Sequence, residues 1–213
     1  MSLNRTVIPD LFASATPLRL EMPDAEVVYW PGVDLGMAPH LLLKELIEQT
    51  PWRSDIITLW GRQYPQPRLS AWYGDPGARY TYSGLSLEPL PWTDLLAALR
   101  ARVEALVGAS FNSVLLNYYR DHRDSMGMHS DDEPELGGQP IIASLSLGAR
   151  RALVFKHKLR KDLKPVQVPL DSGSLLLMKG ETQHKWKHGI NKLQQPCGPR
   201  VNLTFRRILA VPR

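Results

Sequence analysis

The residues best suited to chemistry lie in the second half of the chain. They are His129-Ser130-Asp131, after Met126-Gly127-Met128, and two histidines in Gln183-His184-Lys185-Trp186-Lys187-His188-Gly189. On an extended backbone residues i and i+2 project to the same side, so His129 and Asp131 can reach one ion. An imidazole from a distant strand would complete two histidines and a carboxylate on one face of a metal. That set leaves the opposite coordination positions open, as oxygen chemistry at non-haem Fe(II) requires. His184 and His188 share a parity, so strand periodicity does not choose between them. A His-x-Asp pair by itself is common, and its bland counterpart is a surface or hydrogen-bonded histidine.

A second constellation is Arg200-Val201-Asn202-Leu203-Thr204-Phe205-Arg206, in which polar and apolar residues alternate strictly. Arg200, Asn202, Thr204 and Arg206 fall on one face of a strand, and Val201, Leu203 and Phe205 on the other. A solvated outer face would alternate in the same way. Guanidinium groups, however, offer paired, charge-assisted donors that suit a carboxylate ligand. At about 3.3 Å per residue the two arginines stand roughly 20 Å apart, so they serve different ends of a site. Asn117 and Tyr119 share a parity on another strand and can add hydrogen bonds to the same anion. Metal ligands together with a dianion site are what a 2-oxoglutarate-dependent oxygenase needs.

Strands must position these groups. After Phe111 the hydrophobic pattern has period two, which predicts strands at 113–119, 141–147, 151–156, 166–168, 174–178 and 200–209. Ahead of them, helical spacing predicts a short helix over 39–49, closed by Pro51, and another from 92 or 93 to 107, ended by Gly108. Helices in front and strands behind imply an α+β or jelly-roll arrangement. Residues 1–36 read as an extended lead-in with one strand near 27–30. Between Trp52 and Trp92 lie eight of the seventeen aromatics, among Pro, Gly and Arg. That segment reads either as a lid packed over a sheet or as a base-stacking surface.

Composition sets the outer bounds. A chain of 213 residues, 43% hydrophobic, is long enough for a sizeable core and favours one domain over 1–213. A net charge of +5 and a pI near 9.4 suit a polyanionic partner. The lone Cys197 rules out an internal disulfide and a multi-thiolate zinc site, which fits a reducing cytoplasm and a monomer without disulfide-linked partners. No apolar run reaches the roughly 18 residues of a membrane span, so no membrane association is expected.

Five ordered segments resemble the AlkB family: Phe111-Asn112 through Asn117-Tyr118-Tyr119, His129-Ser130-Asp131-Asp132-Glu133, Pro140-Ile141-Ile142-Ala143-Ser144-Leu145-Ser146-Leu147-Gly148, Trp186-Lys187-His188-Gly189-Ile190, and Arg200 through Arg206. The resemblance covers about 52–207. It implies a double-stranded β-helix (jelly-roll) core over 111–209 with N-terminal helices and a nucleotide-recognition lid at 52–92. It places the third iron ligand at His188, with His184 a neighbour. It also implies that Arg200, Asn202 and Arg206, with Asn117 and Tyr119, hold 2-oxoglutarate, and that O2 is the co-substrate. The activity implied is oxidative removal of alkyl groups from bases such as 1-methyladenine and 3-methylcytosine, in DNA or also in RNA.

Tyr73-Gly74-Asp75 and Tyr80-Thr81-Tyr82-Ser83-Gly84-Leu85 resemble the nucleotide-recognition segment of the DNA-repair branch of that family. By that likeness Tyr82 stacks on the target base, with Tyr80 and Ser83 beside it, Glu133 contacts the base edge, and Trp60 looks like the position that fills the gap left by a flipped base. Residues 150–164 concentrate eight basic or potentially basic side chains, including Arg151, Lys156 and Lys158, with Asp162 as the only acid. They read as phosphate-binding, with Arg68 able to join them. Lys185 and Lys187, flanking Trp186, depart from the family pattern. Two rivals remain: a jelly roll that binds nucleic acid without turnover, and a related oxygenase acting on protein or lipid.

Overall fold

The longer helix begins where Thr93 accepts the Leu96 N–H at 3.2 Å through its hydroxyl, and it ends at Gly108, whose φ of 68° is left-handed. The structure is a computed structural model that describes residues 16–209 except 55, 60, 61, 79, 83 and 84. In chain order the elements are β1 (Leu18–Leu20), β2 (Glu26–Trp30), α1 (Pro39–Gln49), β3 (Ile56–Leu59), β4 (Arg62–Pro65), β5 (Leu69–Gly74), β6 (Tyr80–Tyr82), β7 (Leu85–Leu87) and α2 (Asp94–Val107). Then come β8 (Ser113–Tyr119), β9 (Met126–His129), a 3-10 turn (Pro134–Leu136), β10 (Ile142–Gly148), β11 (Arg151–His157), β12 (Val166–Leu170), β13 (Ser174–Lys179), α3 (Thr182–Lys185), β14 (Trp186–Ile190) and β15 (Arg200–Arg206).

Two antiparallel sheets form the jelly roll. The major sheet has seven strands in the order β1-β2-β13-β10-β15-β8-β5, and the minor sheet has four, β12-β11-β14-β9. Side chains alternate across the major sheet, so each face has its own core. On one face Val201, Leu203 and Phe205 of β15 pack with Val114 and Leu116 of β8 against Leu42 and Leu46 of α1 and Leu96, Leu99 and Val103 of α2. The other face meets the minor sheet through Tyr119, Ile142, Leu176 and Met178, opposite Leu153, Phe155, Trp186 and Ile190. At about 1.5–3 kcal/mol for each large apolar side chain buried, these two layers supply most of the stabilisation.

Several expectations shift. The 1–36 lead-in contributes β1 and β2 to the major sheet, and the 52–92 segment contributes β5, so the core draws on the chain well before residue 111. Tyr73 of β5 is buried in the helix-side core, which the turn-rich composition of its segment concealed. The last strand stops at Arg206 instead of continuing to 209. No helix among the described residues is long and apolar enough to cross a membrane.

Candidate metal centre and co-substrate pocket

β14 runs antiparallel to β9 with His188 directly opposite His129. The two imidazoles therefore meet, with ring centroids 4.4 Å apart. The register shifts between His188 and Ile190, at Gly189, where a Cβ would stand 2.8 Å from the Met126 carbonyl oxygen and 3.0 Å from that of Gly127. Only glycine lets the two backbones approach so closely. Asp131 follows two residues after His129, and one ligand atom from each of His129, Asp131 and His188 lies within 4.8 Å of the others. His184, by contrast, is exposed on α3 and bonds the Gly138 carbonyl. The geometry thus chooses His188, which parity left open.

Each donor is held by a neighbour. His129 Nδ1 lies 2.9 Å from the Gly127 carbonyl oxygen and must carry the proton there, leaving Nε2 with a free lone pair facing Asp131. Asp131 is fixed at both ends: its backbone N–H donates to Gln183 Oε1 at 3.0 Å, and its Oδ1 accepts from Arg206 Nη2 at 2.7 Å. Asp131 Oδ2 is buried and has no hydrogen-bond partner, as is His188 Nδ1. Burial opposes the Asp131 charge, yet Arg206, His188 and His129 hold the carboxyl below its ordinary range. Burial, reinforced by His129, drives His188 down to about 3, so its imidazole is neutral at physiological pH. A carboxylate with an unsatisfied oxygen and two imidazoles facing it is a donor set suited to a divalent transition metal, and Fe(II) fits it.

β15 carries the second half of the site. Its polar face points between the sheets instead of into solvent, which settles the ambiguity of the alternating pattern. In register with β8, Arg200 stands opposite Tyr119 and Asn202 opposite Asn117. Serines on β10 brace them: Ser146 Oγ accepts from Arg200 Nη2 at 3.0 Å, and Ser144 Oγ accepts from Asn202 Nδ2 at 2.8 Å. Arg200 is almost wholly buried, and its Nε and Nη1 have no hydrogen-bond partner. An uncompensated buried cation costs of order several kcal/mol, which a bound carboxylate would offset. The two arginines of the strand do serve different ends: Arg206 holds the ligand Asp131, while Arg200 lies over the ring of Tyr119 at 5.0 Å. One cavity is lined by His129, Asp131 and His188 together with Tyr119, Arg200, Asn202 and Arg206. A larger groove of about 300 Å³, lined by Val33, Leu35 and Arg102, has no comparable donor set.

A model of the 2OG-Fe(II) oxygenase superfamily matches residues 37–206. The chain is 43% identical over 198 residues to the mouse Alpha-ketoglutarate-dependent dioxygenase alkB homolog 3, spanning 89% of this chain and 68% of that protein. It belongs to the AlkB family. It is also 43% identical over 159 residues to the human DNA oxidative demethylase ALKBH2, spanning 72% of this chain and 61% of that one. The fold of OsALKBH1 superposes with a TM-score of 0.60 at 16% identity, covering 90% of this chain and all of that one. This AlkB-family protein is an Fe(II)- and 2-oxoglutarate-dependent dioxygenase with a double-stranded β-helix core.

The residues expected to meet nucleic acid divide. Trp60 and Ser83, and the side chains of Tyr80 and Tyr82, lie outside the described residues. Glu133 is half-buried two residues after Asp131, at the start of the 3-10 turn. Lys156 is exposed, whereas Lys158 pairs with Asp132 at 2.8 Å, beside the metal ligand. Two expectations need correction. Arg68 does not join the basic segment: its Nε donates to Asn117 Oδ1 at 2.7 Å, bracing the co-substrate strand. Arg151 is not a surface cation either, being 2% exposed. It donates to the carbonyls of Asp121, Asp124 and Asn191 and lies over the ring of Tyr119, 5.7 Å from its centroid. Its parity with Leu153 and Phe155 was the signal that it points inward. Gln183, Ser144 and Ser146 carried no signal beyond their place in ordinary strands and turns.

Proposed function

We propose that this dioxygenase oxidatively dealkylates N-alkylated bases in nucleic acid. The observation that carries the reading is that a complete metal and dianion site stands in a chain 43% identical to a protein named as a DNA oxidative demethylase. His129, Asp131 and His188 would hold Fe(II), which with 2-oxoglutarate and O2 supplies the oxidising chemistry that hydroxylates the alkyl group, so that it leaves as an aldehyde. Arg200 would take the distal carboxylate of 2-oxoglutarate, with Asn202, Asn117 and Tyr119 shaping the slot around it. Arg206 would keep Asp131 ionised and oriented for the metal, and Gln183 would keep its backbone in place.

A base inside a duplex is out of reach of such a buried centre, so it must leave its stack. Tyr82, with Tyr80 and Ser83, is proposed to receive it, Glu133 to contact its edge, and Trp60 to fill the gap. Lys156 would neutralise a phosphate nearby, and the basic composition favours such a partner.

The test is an oligonucleotide carrying 1-methyladenine or 3-methylcytosine, incubated with Fe(II), 2-oxoglutarate and ascorbate. It is run in parallel on single-stranded DNA, duplex DNA and RNA. Loss of a methylene by intact mass, absent in His129→Ala and Asp131→Ala, is the expected outcome. Equal activity in those variants would remove the metal assignment. Tyr82→Ala should weaken turnover at limiting substrate while leaving metal binding intact.

A further inference from the structure

Lys156 of β11 and Lys187 of β14 stand directly opposite each other in the minor sheet. Both are exposed, and neither side chain makes an ion pair or hydrogen bond with another described residue. Among the other described surface cations some are matched with acids, Arg102 with Asp34, Arg123 with Asp121, Arg150 with Asp171, Arg160 with Asp162 and Lys179 with Glu26, while Lys44, Lys164 and Lys192 are exposed without an ion pair. Lys158 is matched with Asp132 at 2.8 Å and Lys185 with Glu181 at 4.0 Å. What sets Lys156 and Lys187 apart is that they face each other across two strands. Like charges directly across two strands destabilise a sheet, because their side chains leave the backbone only about 5 Å apart. An acid at either position would relieve the repulsion, and an anion bound from outside would do the same.

We propose that Lys156 and Lys187 form a two-lysine seat for the phosphodiester backbone of the nucleic-acid substrate, on the outer face of the minor sheet. Lys187 and the metal ligand His188 are consecutive on β14 and point to opposite faces. The seat therefore lies against the wall of the metal centre and fixes a strand relative to it. Ammonium groups on flexible stems suit this task, since they follow a phosphate chain without demanding one geometry. The proposal rests on nucleic acid being the substrate class, and it adds Lys187 and the face of the sheet on which the strand lies.

The test uses the whole chain and an unmodified, fluorescein-labelled oligonucleotide, single-stranded and duplex, titrated by anisotropy across a salt series. Lys187→Gln should weaken binding several-fold and lower the slope of log affinity against log salt by about 0.7 on single strands and about 0.9 on duplex. Lys187→Glu should weaken it further, by about tenfold or more at low salt. It should also melt at or above the temperature of the parent protein, because the new carboxylate faces Lys156. Weaker binding with undiminished thermal stability separates a ligand seat from a structural role. Parent-like affinity and slope in both variants would overturn the seat while leaving the nucleic-acid reading in place. Absence of oligonucleotide binding by the parent protein would overturn the reading itself. Binding to vesicles of anionic phospholipid that exceeds oligonucleotide binding and is lost in Lys187→Glu would overturn the assignment to nucleic acid.

Discussion

The interior cations of this protein are arginines, and the cations of the outer sheet face are lysines. Arg200, Arg206 and Arg151 lie between or beside the two sheets, each aimed by fixed hydrogen bonds, whereas Lys156 and Lys187 project into solvent with none. Burial lowers the pKa of Arg200, and the like charge of Arg151 adds to the effect, yet a guanidinium starts so high that it stays charged. A lysine in that place would surrender its proton far more readily. The difference teaches where each residue belongs. A planar fork serves where one carboxylate must be gripped in one geometry, and a flexible point charge serves where many phosphates pass.

The contrast can be broken most severely at Arg200. Arg200→Met should raise the KM for 2-oxoglutarate roughly 30-fold or more, as expected when one partner of a buried charge pair is truncated. Arg200→Lys should recover only part of that loss, read from steady-state kinetics at varied 2-oxoglutarate. Full recovery by lysine would erase the distinction drawn here. Next comes Arg151, whose removal leaves three carbonyls without their donor. Arg151→Met should cost about 3 kcal/mol in denaturant unfolding, against less than about 0.5 kcal/mol for the exposed Lys156→Gln.

The interior also has a pH signature. His188 titrates near 3 in the fold and near its ordinary 6.5 when unfolded. Unfolded chains therefore take up the proton first on acidification, and metal-free protein should lose stability as pH falls from about 6.5 toward 3. His188→Asn should flatten that dependence in thermal melts across the same window. The smallest effect is expected at Ser146, which only braces Arg200. Ser146→Ala should raise the KM for 2-oxoglutarate about fivefold, the value of one ordinary hydrogen bond.

Much of this arrangement was legible in the residues themselves. The 39–49 helix and the 113–119 strand were read with the boundaries they have, because their apolar spacing is regular and Pro51 and Gly108 punctuate the helices. The alternation of β15 announced two faces, although only the sheet above it decided that the polar one is buried. β9 and β14 were not read as strands, because each has four or five residues, carries a glycine, and pairs through a register shift. The choice of His188 over His184 by geometry depends on that pairing, and parity alone is blind to it. Arg151 misled because it stands in a run of basic residues. Charge suggested the surface, while its alternation with Leu153 and Phe155 pointed to the interior.

β15 lies third from one edge of the major sheet, paired on both sides, with apolar side chains locked into the helices and polar ones lining the cavity. One backbone thus belongs at once to the cooperative unit of folding and to the docking slot of a small metabolite. A molecule gripping Arg200 and Asn202 is expected to slow amide exchange along β8 and β10 as well, since opening any of the three strands requires letting it go. Supply of the co-substrate would then bear on the lifetime of the native state as well as on the rate of turnover.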